Sequence, residues 1–511
     1  MSDEKKPEAT HSDRDSIEKV EVAHVKSDDS EEVYDFAGES SLPPPPKLTP
    51  EQERKLYRKI DLRIMPIVTL MYLFSFLDRG NIGNAKLQGL TTELNLTGNK
   101  YNIALTMYFI PYCLVECPAN LLVKRLRPSR WLPAITVAWG IIMTCMGIVQ
   151  NYPQLVVLRV LLGMAEAGFF PGVVLCLTFW YPRHMLQFRV GLFWGGATVA
   201  GAFSGLLAFG ISFMSGRHGL LGWSWIFIIE GIATVAVGIL GFFLLVDFPA
   251  TASFLTPEER SYIIWRKKFD NSTVGEEEHF ALKHVWKAFS DWQIWVHILI
   301  YMSIIGPLYS ISFFLPSIIN GFGFSTAISQ LLTVPPYVCA TIVTIIFAIW
   351  SDRVQKRSPF ILASLTMCLI GFSINVSRAP IGVKYFGTFF CVTGSYAAFP
   401  GVISWLGNNM AGQYKRATGI ALHIGIGNLA GAIASNTYRS QDAPRYIIGH
   451  AIALMFVGIG LTAVPLAVTL YIRTNAKREA HLQHLRETGT KYSVKELLQM
   501  GDRAPDFRYT L

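Results

Sequence analysis

The segment RVLLGMAEAGFFPG, residues 159–172, places one arginine and one glutamate in a stretch of otherwise apolar and small residues. Arg159 and Glu166 are seven residues apart, so on an α-helix they share one face, two turns apart. A charge at the centre of a bilayer costs roughly 2.5–3.5 kcal/mol even on the lenient insertion scale. If this segment crosses a membrane, both charges must face the interior of a helix bundle or water.

The rest of the sequence indicates that the segment does cross a membrane. Of the 511 residues, 51% are hydrophobic and 16% are charged, whereas a soluble domain carries about 25% charged residues. The apolar residues form blocks long enough to cross the hydrocarbon layer, about 30 Å thick, as helices. These blocks predict an all-α membrane protein with twelve spans, at about 62–86, 102–123, 131–149, 155–180, 188–214, 224–246, 292–318, 328–349, 360–376, 384–405, 416–436 and 447–472.

Three short motifs recur at a nearly constant offset and relate the first six spans to the last six. FPG at 170–172 recurs at 399–401, AGA at 200–202 recurs at 430–432, and IPY at 110–112 corresponds to PPY at 335–337. The offsets are 229, 230 and 225 residues. Parallel repeats predict two six-helix bundles related by a pseudo-two-fold axis, with a cavity between them and alternating access by rocking.

Segments of different composition surround the spans. The first residues are charged and Ser-rich and end in a proline run, which predicts disorder. A short basic helix, with Thr49 as cap and Pro50 in its first turn, is expected to lead into span 1. The predicted order is a disordered cytosolic tail (1–50), an N-terminal bundle (51–246), a cytosolic central loop (247–291), a C-terminal bundle (292–473) and a cytosolic tail (474–511).

Basic residues set the expected orientation. They occupy the links after spans 2, 4, 8 and 10 and the segment after span 12, whereas the links NYPQ and NGFGFSTA carry no charge. The positive-inside rule therefore predicts that both termini lie in the cytosol. We expect a multi-pass protein of the plasma membrane. The net charge of +9 reflects this asymmetry, and no nucleic-acid partner is expected. The sequon at Asn95 falls in an external link and is a candidate glycosylation site, whereas the sequon at Asn271 should stay bare.

The sequence lacks the motifs of an enzyme. It contains no nucleotide-binding loop, no metal-ligand cluster and no arrangement of a nucleophile with a base. The seven cysteines all fall within spans and are expected to act as small hydrophobic residues. We therefore expect a monomeric, non-enzymatic protein of the lipid bilayer, without cofactor or metal.

Several motifs resemble those of one family. KIDLRIMP (59–66), FLDRGNIGNA (76–85), NLLVKRLRPSRWL (120–132), RVLLGMAEAGFFPG and FLTPEER (254–260) resemble the major facilitator superfamily and, within it, the fungal anion:cation symporters of the allantoate and nicotinate permease group. The resemblance covers about residues 50 to 480 and implies secondary active transport. Asn120 and Lys124 replace the glycine and the acid of the superfamily signature after span 2. Asp352 and Arg353 keep the acidic form after span 8 and are expected to act in gating.

Asp78 and Arg79 of span 1 join Arg159 and Glu166 as the predicted substrate and proton site. A guanidinium offers a planar fork of donors that fits a carboxylate. When a substrate anion occupies the arginine, the glutamate loses its partner and takes up a proton. The resemblance implies the same roles, because related anion symporters carry an Asp-Arg pair on span 1 and Arg-x6-Glu on span 4. The alternative is a set of structural ion pairs that hold spans 1 and 4 together.

Other polar residues inside the spans are weaker candidates. Glu116 in span 2 is expected either to gate or relay protons or to pair with a neighbouring span. His423 in span 11 is expected either to bind substrate or proton or to donate a hydrogen bond in helix packing. Glu230 is interpreted as a structural residue near the external end of span 6.

The leading functional hypothesis is proton-coupled import of a small organic anion, such as a carboxylate vitamin or a ureide. One co-transported proton would cancel the cost of moving a monoanion against an inside-negative potential, about 2.3 kcal/mol per 100 mV. A proton-coupled exporter of a drug or secondary metabolite is an alternative, although residues 188–214 lack the proline expected of such antiporters. A transporter-like nutrient sensor is the other, although the C-terminal extension is short for one.

Overall fold

The computed structural model describes residues 48–270, 286, 288–443, 445–488, 492, 496–497 and 500–511. The predicted disordered tail up to residue 47 and the sequon at Asn271 lie outside the described residues. The side chains of Asn120 and Lys124, which carry the altered signature, lie outside them as well.

The described chain is helical, and its helices form the twelve predicted spans. Nine helical segments are long and apolar enough to cross a membrane, and spans 2, 3 and 11 complete the set within the described residues. Short helices at Leu90–Glu93 and Pro257–Asp270 lie outside the spans. The spans are Pro50–Leu87, Lys100–Leu126, Pro128–Met146, Tyr152–Glu166 with Phe169–Trp180, Arg183–Ser212, Gly222–Leu244, Trp292–Asn320, Thr326–Leu331 with Val334–Val354, Ser358–Val376, Ile381–Asn408, Gln413–Gly427 with Leu429–Ala434, and Ile447–Thr488.

Span 1 begins about a dozen residues before its predicted apolar block, because the basic helix and the span form one continuous helix. Thr49 caps it through a capping box with Gln52: the Thr49 hydroxyl accepts from the Gln52 N–H at 3.3 Å, and Gln52 Oε1 accepts from the Thr49 N–H at 2.9 Å. Pro50 occupies the first turn, where its missing N–H costs nothing. The predicted cap at Thr49 is confirmed.

The helix packing repeats between the two halves of the chain. In the first half, spans 1 and 5, 1 and 6, 2 and 4, and 3 and 6 pack together. In the second half, spans 7 and 11, 7 and 12, 8 and 10, and 9 and 12 do the same. This correspondence confirms the two pseudo-two-fold related bundles. The halves contact each other where span 2 packs against span 11, span 5 against spans 8 and 10, and span 1 against span 7.

The C-terminal segment, residues 500–511, docks on the second half where span 9 begins and span 10 ends. Span 12 continues as a helix to Thr488, well past its predicted block. The carbonyl of Leu511 accepts from the N–H of Arg357 at 2.6 Å. The carbonyl of Thr510 accepts from Trp405 at 2.9 Å and from Asn409 at 3.0 Å. These contacts anchor the segment to spans 9 and 10.

Lys415 at the start of span 11 carries the charged part of this docking. Its ammonium group lies 2.6 Å from a carboxylate oxygen of Asp291 and 2.7 Å from one of Asp502, and all three side chains are buried. Burial raises the pKa of Asp502, and the Lys415 ammonium partly offsets that rise. One cation therefore pairs with two buried acids, one of them in the C-terminal segment.

Replacing Lys415 with methionine should destabilise the part of the second half where Lys415 contacts Asp291 and Asp502. Removing one partner of a buried ion pair costs about 3–5 kcal/mol, because an uncompensated charge remains. The loss should be smaller at acidic pH, since without the ammonium the raised pKa of Asp502 lets it take up a proton and become neutral. Thermal unfolding of the detergent-purified protein at pH 5.5 and 7.5 measures both effects.

The exposed ion pair between Arg508 and Glu479, 2.6 Å long, supplies the matched control. Its side chains are 36% and 50% exposed, so Glu479→Gln should change the unfolding free energy by no more than about 1 kcal/mol. Equal melting temperatures for Lys415→Met and Glu479→Gln would contradict the docking described above.

Candidate substrate and proton site

Arg79 of span 1 and Glu166 of span 4 form a buried ion pair between two helices of the first half. Arg79 Nε donates to Glu166 Oε1 at 2.7 Å, and the two side chains are 6% and 0% exposed. Ser75 also donates to Glu166 Oε1, and the Tyr108 hydroxyl donates to Oε2 at 2.7 Å. The helix of span 4 breaks directly after Glu166 and resumes at Phe169. Both carboxylate oxygens are thus fully engaged.

The same guanidinium reaches the other half of the protein. Arg79 Nη1 donates to the hydroxyl of Tyr309 in span 7 at 2.9 Å. Its guanidinium carbon lies 5.1 Å from the ring centroid of Tyr112, close enough for a cation–π contact. The ion pair therefore lies at the interface between the halves, where alternating access requires the substrate to bind.

Arg159 lies two turns before Glu166 on the same face of span 4, but it does not pair with Glu166. The side chain is 2% exposed, and its Nε and Nη2 have no hydrogen-bond partner among the described residues. Tyr101 and Tyr108 lie near enough to influence it electrostatically, as does Glu166. A buried guanidinium with free donors is a costly arrangement that an anionic ligand would relieve.

Asp78 faces away from this interface. Its Oδ2 accepts from Trp139 of span 3 at 3.2 Å and from Thr234 of span 6 at 2.9 Å. Consecutive residues on a helix point in directions about 100° apart, so Asp78 and Arg79 cannot serve one site from the same face. Glu230 lies on the same side, where Asn81 donates to it. Of the four residues predicted for the site, the structure brings Arg79 and Glu166 into contact, places Arg159 two turns before Glu166 on span 4, and leaves Asp78 inside the first bundle.

Aromatic rings close the interface on both sides of the ion pair. Toward the N-terminal end of span 1, Trp194 of span 5 stacks on Phe399 of span 10, with ring centroids 3.4 Å apart and planes 12° apart. The Trp194 indole donates to the carbonyl of Tyr396 at 3.2 Å. A second contact, between Phe109 and Tyr309 with centroids 4.8 Å apart, lies on the other side. The structure therefore shows the site closed, rather than open to the cavity that the repeats predict between the bundles.

Three further candidates occupy distinct places. Glu116 is buried between spans 2 and 11. His423 Nε2 lies 2.9 Å from the carbonyl of His297, a helix-packing contact inside the second bundle. Asp352 accepts from the N–H of Phe188 at 2.6 Å and so joins the end of span 8 to the start of span 5.

Asp352 pairs with Arg357 and not with Arg353, the arginine that the sequence motif predicted beside it. Arg357 Nη1 lies 2.7 Å from Asp352 Oδ1, whereas Arg353 is exposed. Arg357 reaches Asp352 because the chain turns between the end of span 8 at Val354 and the start of span 9 at Ser358. Asn95 is exposed in the link between spans 1 and 2, as glycosylation requires.

The tyrosines around the ion pair are the functional residues that sequence reasoning missed. Tyr108 and Tyr112 are four residues apart on span 2 and both face Arg79. Their spacing is visible in the sequence, but tyrosines are common in the spans, and the spacing alone does not show what they face. Tyr309 has no such signal, because it reaches the site from the other half.

Comparison with known proteins identifies the family. The Major Facilitator Superfamily model matches residues 68–435. The high-affinity nicotinic acid transporter of Saccharomyces cerevisiae is 32% identical over 459 residues, covering 89% of this chain and 85% of that one. An uncharacterized transporter of Schizosaccharomyces pombe is 35% identical over 514 residues, covering 100% of both chains. The chain belongs to the major facilitator superfamily, and these relatives are fungal transporters, as the sequence motifs predict.

A solved structure agrees with this fold. The proton:xylose symporter XylE, bound to 6-bromo-6-deoxy-D-glucose, superposes with a TM-score of 0.62 at 16% sequence identity. The match covers 81% of this chain and 96% of the symporter. At this identity the comparison supports the fold alone. The chain is a multi-pass membrane transporter.

Gly163→Ala should weaken the site by separating spans 2 and 4. A methyl group at Gly163 would collide with the backbone carbonyl of Tyr108, whose hydroxyl holds Glu166. Overpacking of this kind costs about 1–3 kcal/mol. Thermal unfolding in detergent measures the loss.

Gly195→Ala is the matched control, because Gly195 lies in span 5 with nothing within 4 Å of an added methyl group. We expect that variant to stay within about 0.5 kcal/mol of wild type. If Gly163→Ala were equally harmless, the close approach of spans 2 and 4 would not hold in the membrane.

Proposed function

We propose that this protein imports a small organic anion together with a proton. The observation that carries the proposal is the Arg79–Glu166 ion pair, which lies at the interface of the halves and extends to Tyr309 of the second half. A substrate carboxylate can compete with Glu166 for the Arg79 guanidinium. The displaced Glu166 then loses its counter-charge in a low-dielectric site and takes up a proton.

Arg159 gives the substrate a second cation. Its free donors lie on the face of span 4 that also carries Glu166. An anion held between Arg79 and Arg159 would satisfy donors that have no partner in the closed structure. In this arrangement the substrate anion binds to two guanidinium groups and displaces one carboxyl group, and that carboxyl group takes up one proton.

The surroundings of the ion pair favour a flat substrate. Rings of Tyr108, Tyr112 and Tyr309 line the space next to Arg79, and planar ligands stack on such rings. The relative that transports nicotinic acid makes a pyridine carboxylate a suitable probe. We propose a small planar monocarboxylate as the substrate class.

Uptake of labelled nicotinate by a permease-deficient yeast tests this function. Accumulation should be higher at about pH 5 than at pH 7 and should collapse with a protonophore, because one proton cancels the roughly 2.3 kcal/mol per 100 mV that an anion meets. Glu166→Gln should lower accumulation at least tenfold at unchanged surface abundance. Undiminished accumulation in that variant would refute the proton role, and uptake favoured at pH 7 would favour an exporter.

We propose further that the protein acts as a monomer in the plasma membrane with both termini in the cytosol. Asn95 then lies outside the cell, and its exposed side chain is available to the glycosylation machinery. In a fungal host, glycosidase treatment should increase the gel mobility of the wild-type protein and leave Asn95→Gln unchanged. A wild-type protein without glycan would argue against this orientation.

A further inference from the structure

Glu116 is a buried carboxyl group that the proposed function does not use. It lies on span 2, ten residues before the cytosolic end of that helix at Leu126. The side chain is fully buried, and in the described part of the chain the amide of Asn428 is the polar group beside its carboxylate, at a geometry too poor for a standard hydrogen bond. Span 11 passes directly beside it: a methyl group added at Gly425 would lie 3.3 Å from Glu116 Oε2.

No cation neutralises this carboxyl group. Glu116 forms no ion pair with any described residue, and the nearest positive group that influences it is Arg79, which is already paired with Glu166. The titratable groups around it are Tyr112 and Cys113 on span 2 and Tyr301 on span 7. Span 11 contributes the uncharged amide of Asn428, which stabilises the carboxyl group as a weak hydrogen-bond donor but supplies no counter-charge. An ionised carboxylate here would cost several kcal/mol, so the closed structure requires the acid form.

Span 2 connects Glu116 to the ion pair. Tyr108, Tyr112 and Glu116 follow one another at intervals of four residues and therefore share one face of the helix. The Tyr108 hydroxyl donates to Glu166, and the Tyr112 hydroxyl accepts from Arg79 at 3.5 Å. The rings of Tyr108 and Tyr112, with centroids 5.6 Å apart, thus lie along span 2 between the ion pair and the position of Glu116.

We propose that Glu116 is the site from which the coupled proton leaves for the cytosol. The proposal rests on the proposed symport. In the loaded closed state both Glu166 and Glu116 hold protons. When spans 2 and 11 separate at their cytosolic ends, Glu116 gives its proton to water and becomes a carboxylate.

The substrate then leaves, and Arg79 pairs again with Glu166. The proton of Glu166 moves along the hydroxyls of Tyr108 and Tyr112 to the Glu116 carboxylate, and the protein closes again. One proton has entered the cytosol for each substrate. The closed structure matches the end of this sequence, because Glu166 is paired with Arg79 while Glu116 has no counter-charge.

Glu116→Gln separates proton release from substrate movement. The variant cannot accept the proton of Glu166, so net uptake of labelled nicotinate driven by a pH gradient into proteoliposomes should fall at least tenfold. Counterflow, in which labelled substrate exchanges for unlabelled substrate without proton release, should stay within twofold of wild type. Glu116→Asp keeps a titratable group and should restore part of the net uptake, with an altered pH profile.

Glu230→Gln is the matched control, since Glu230 is equally buried but lies inside the first bundle against Asn81. It should leave the ratio of net uptake to counterflow unchanged. Unchanged net uptake in Glu116→Gln would overturn the proposal, and so would loss of both activities in a folded variant, which would assign Glu116 to binding or closure.

A second measurement does not depend on the substrate. The infrared carbonyl band of protonated carboxylic acids should lose intensity in substrate-free Glu116→Gln relative to wild type, and an undiminished band would overturn the proposal. If wild-type protein shows the Glu116 band but moves no nicotinate in either assay, the substrate class has failed while the protonated Glu116 stands.

Discussion

Arg79 and Glu166 hold opposite charges inside a bundle of apolar helices, where leaving either charge unpaired costs several kcal/mol. Their ion pair joins span 1 to span 4, and the Tyr309 hydroxyl extends it to the second half. The pair is stable only while neither member finds a better partner. In the proposed symport, a substrate anion competes with Glu166 for Arg79, and a proton neutralises the displaced Glu166. On that proposal, the constraint that stabilises the closed structure also makes it respond to substrate and pH.

The contacts between the halves suit a protein whose halves must separate and close again. Stacked rings such as Trp194 on Phe399 close the interface near the site, and such contacts re-form without strict hydrogen-bond geometry. Polar contacts between the halves occur both at the site, as between Arg79 and Tyr309, and at the ends of spans, as between the Phe188 N–H and Asp352. The C-terminal segment adds its buried Lys415 network to the second half.

Much of this architecture could be predicted from local sequence. Twelve apolar blocks, a repeat near 230 residues and the Thr49 cap are each set by residues close together in the chain, and the structure confirms them. The partners inside the site could not be predicted in this way. Arg159 and Glu166 share a helix face, yet Glu166 pairs with Arg79, because the packing of span 1 against span 4 decides which guanidinium is within reach. Asp78 is next to Arg79 in the sequence, but adjacent residues on a helix point in different directions. Asp78 therefore contacts spans 3 and 6 instead of the ion pair.

The sequence by itself determined what must be buried in the membrane and which residues are charged there, because hydrophobic length and charge cost act residue by residue. It also determined the family, through motifs spread over most of the chain. Only the tertiary structure decided that Tyr309 reaches the Arg79–Glu166 pair, that Glu116 stays without a counter-charge among the described residues, and that residues 500–511 dock beside the end of span 10. Each of these depends on two segments distant in sequence meeting at hydrogen-bond range, and no local pattern specifies which segments meet.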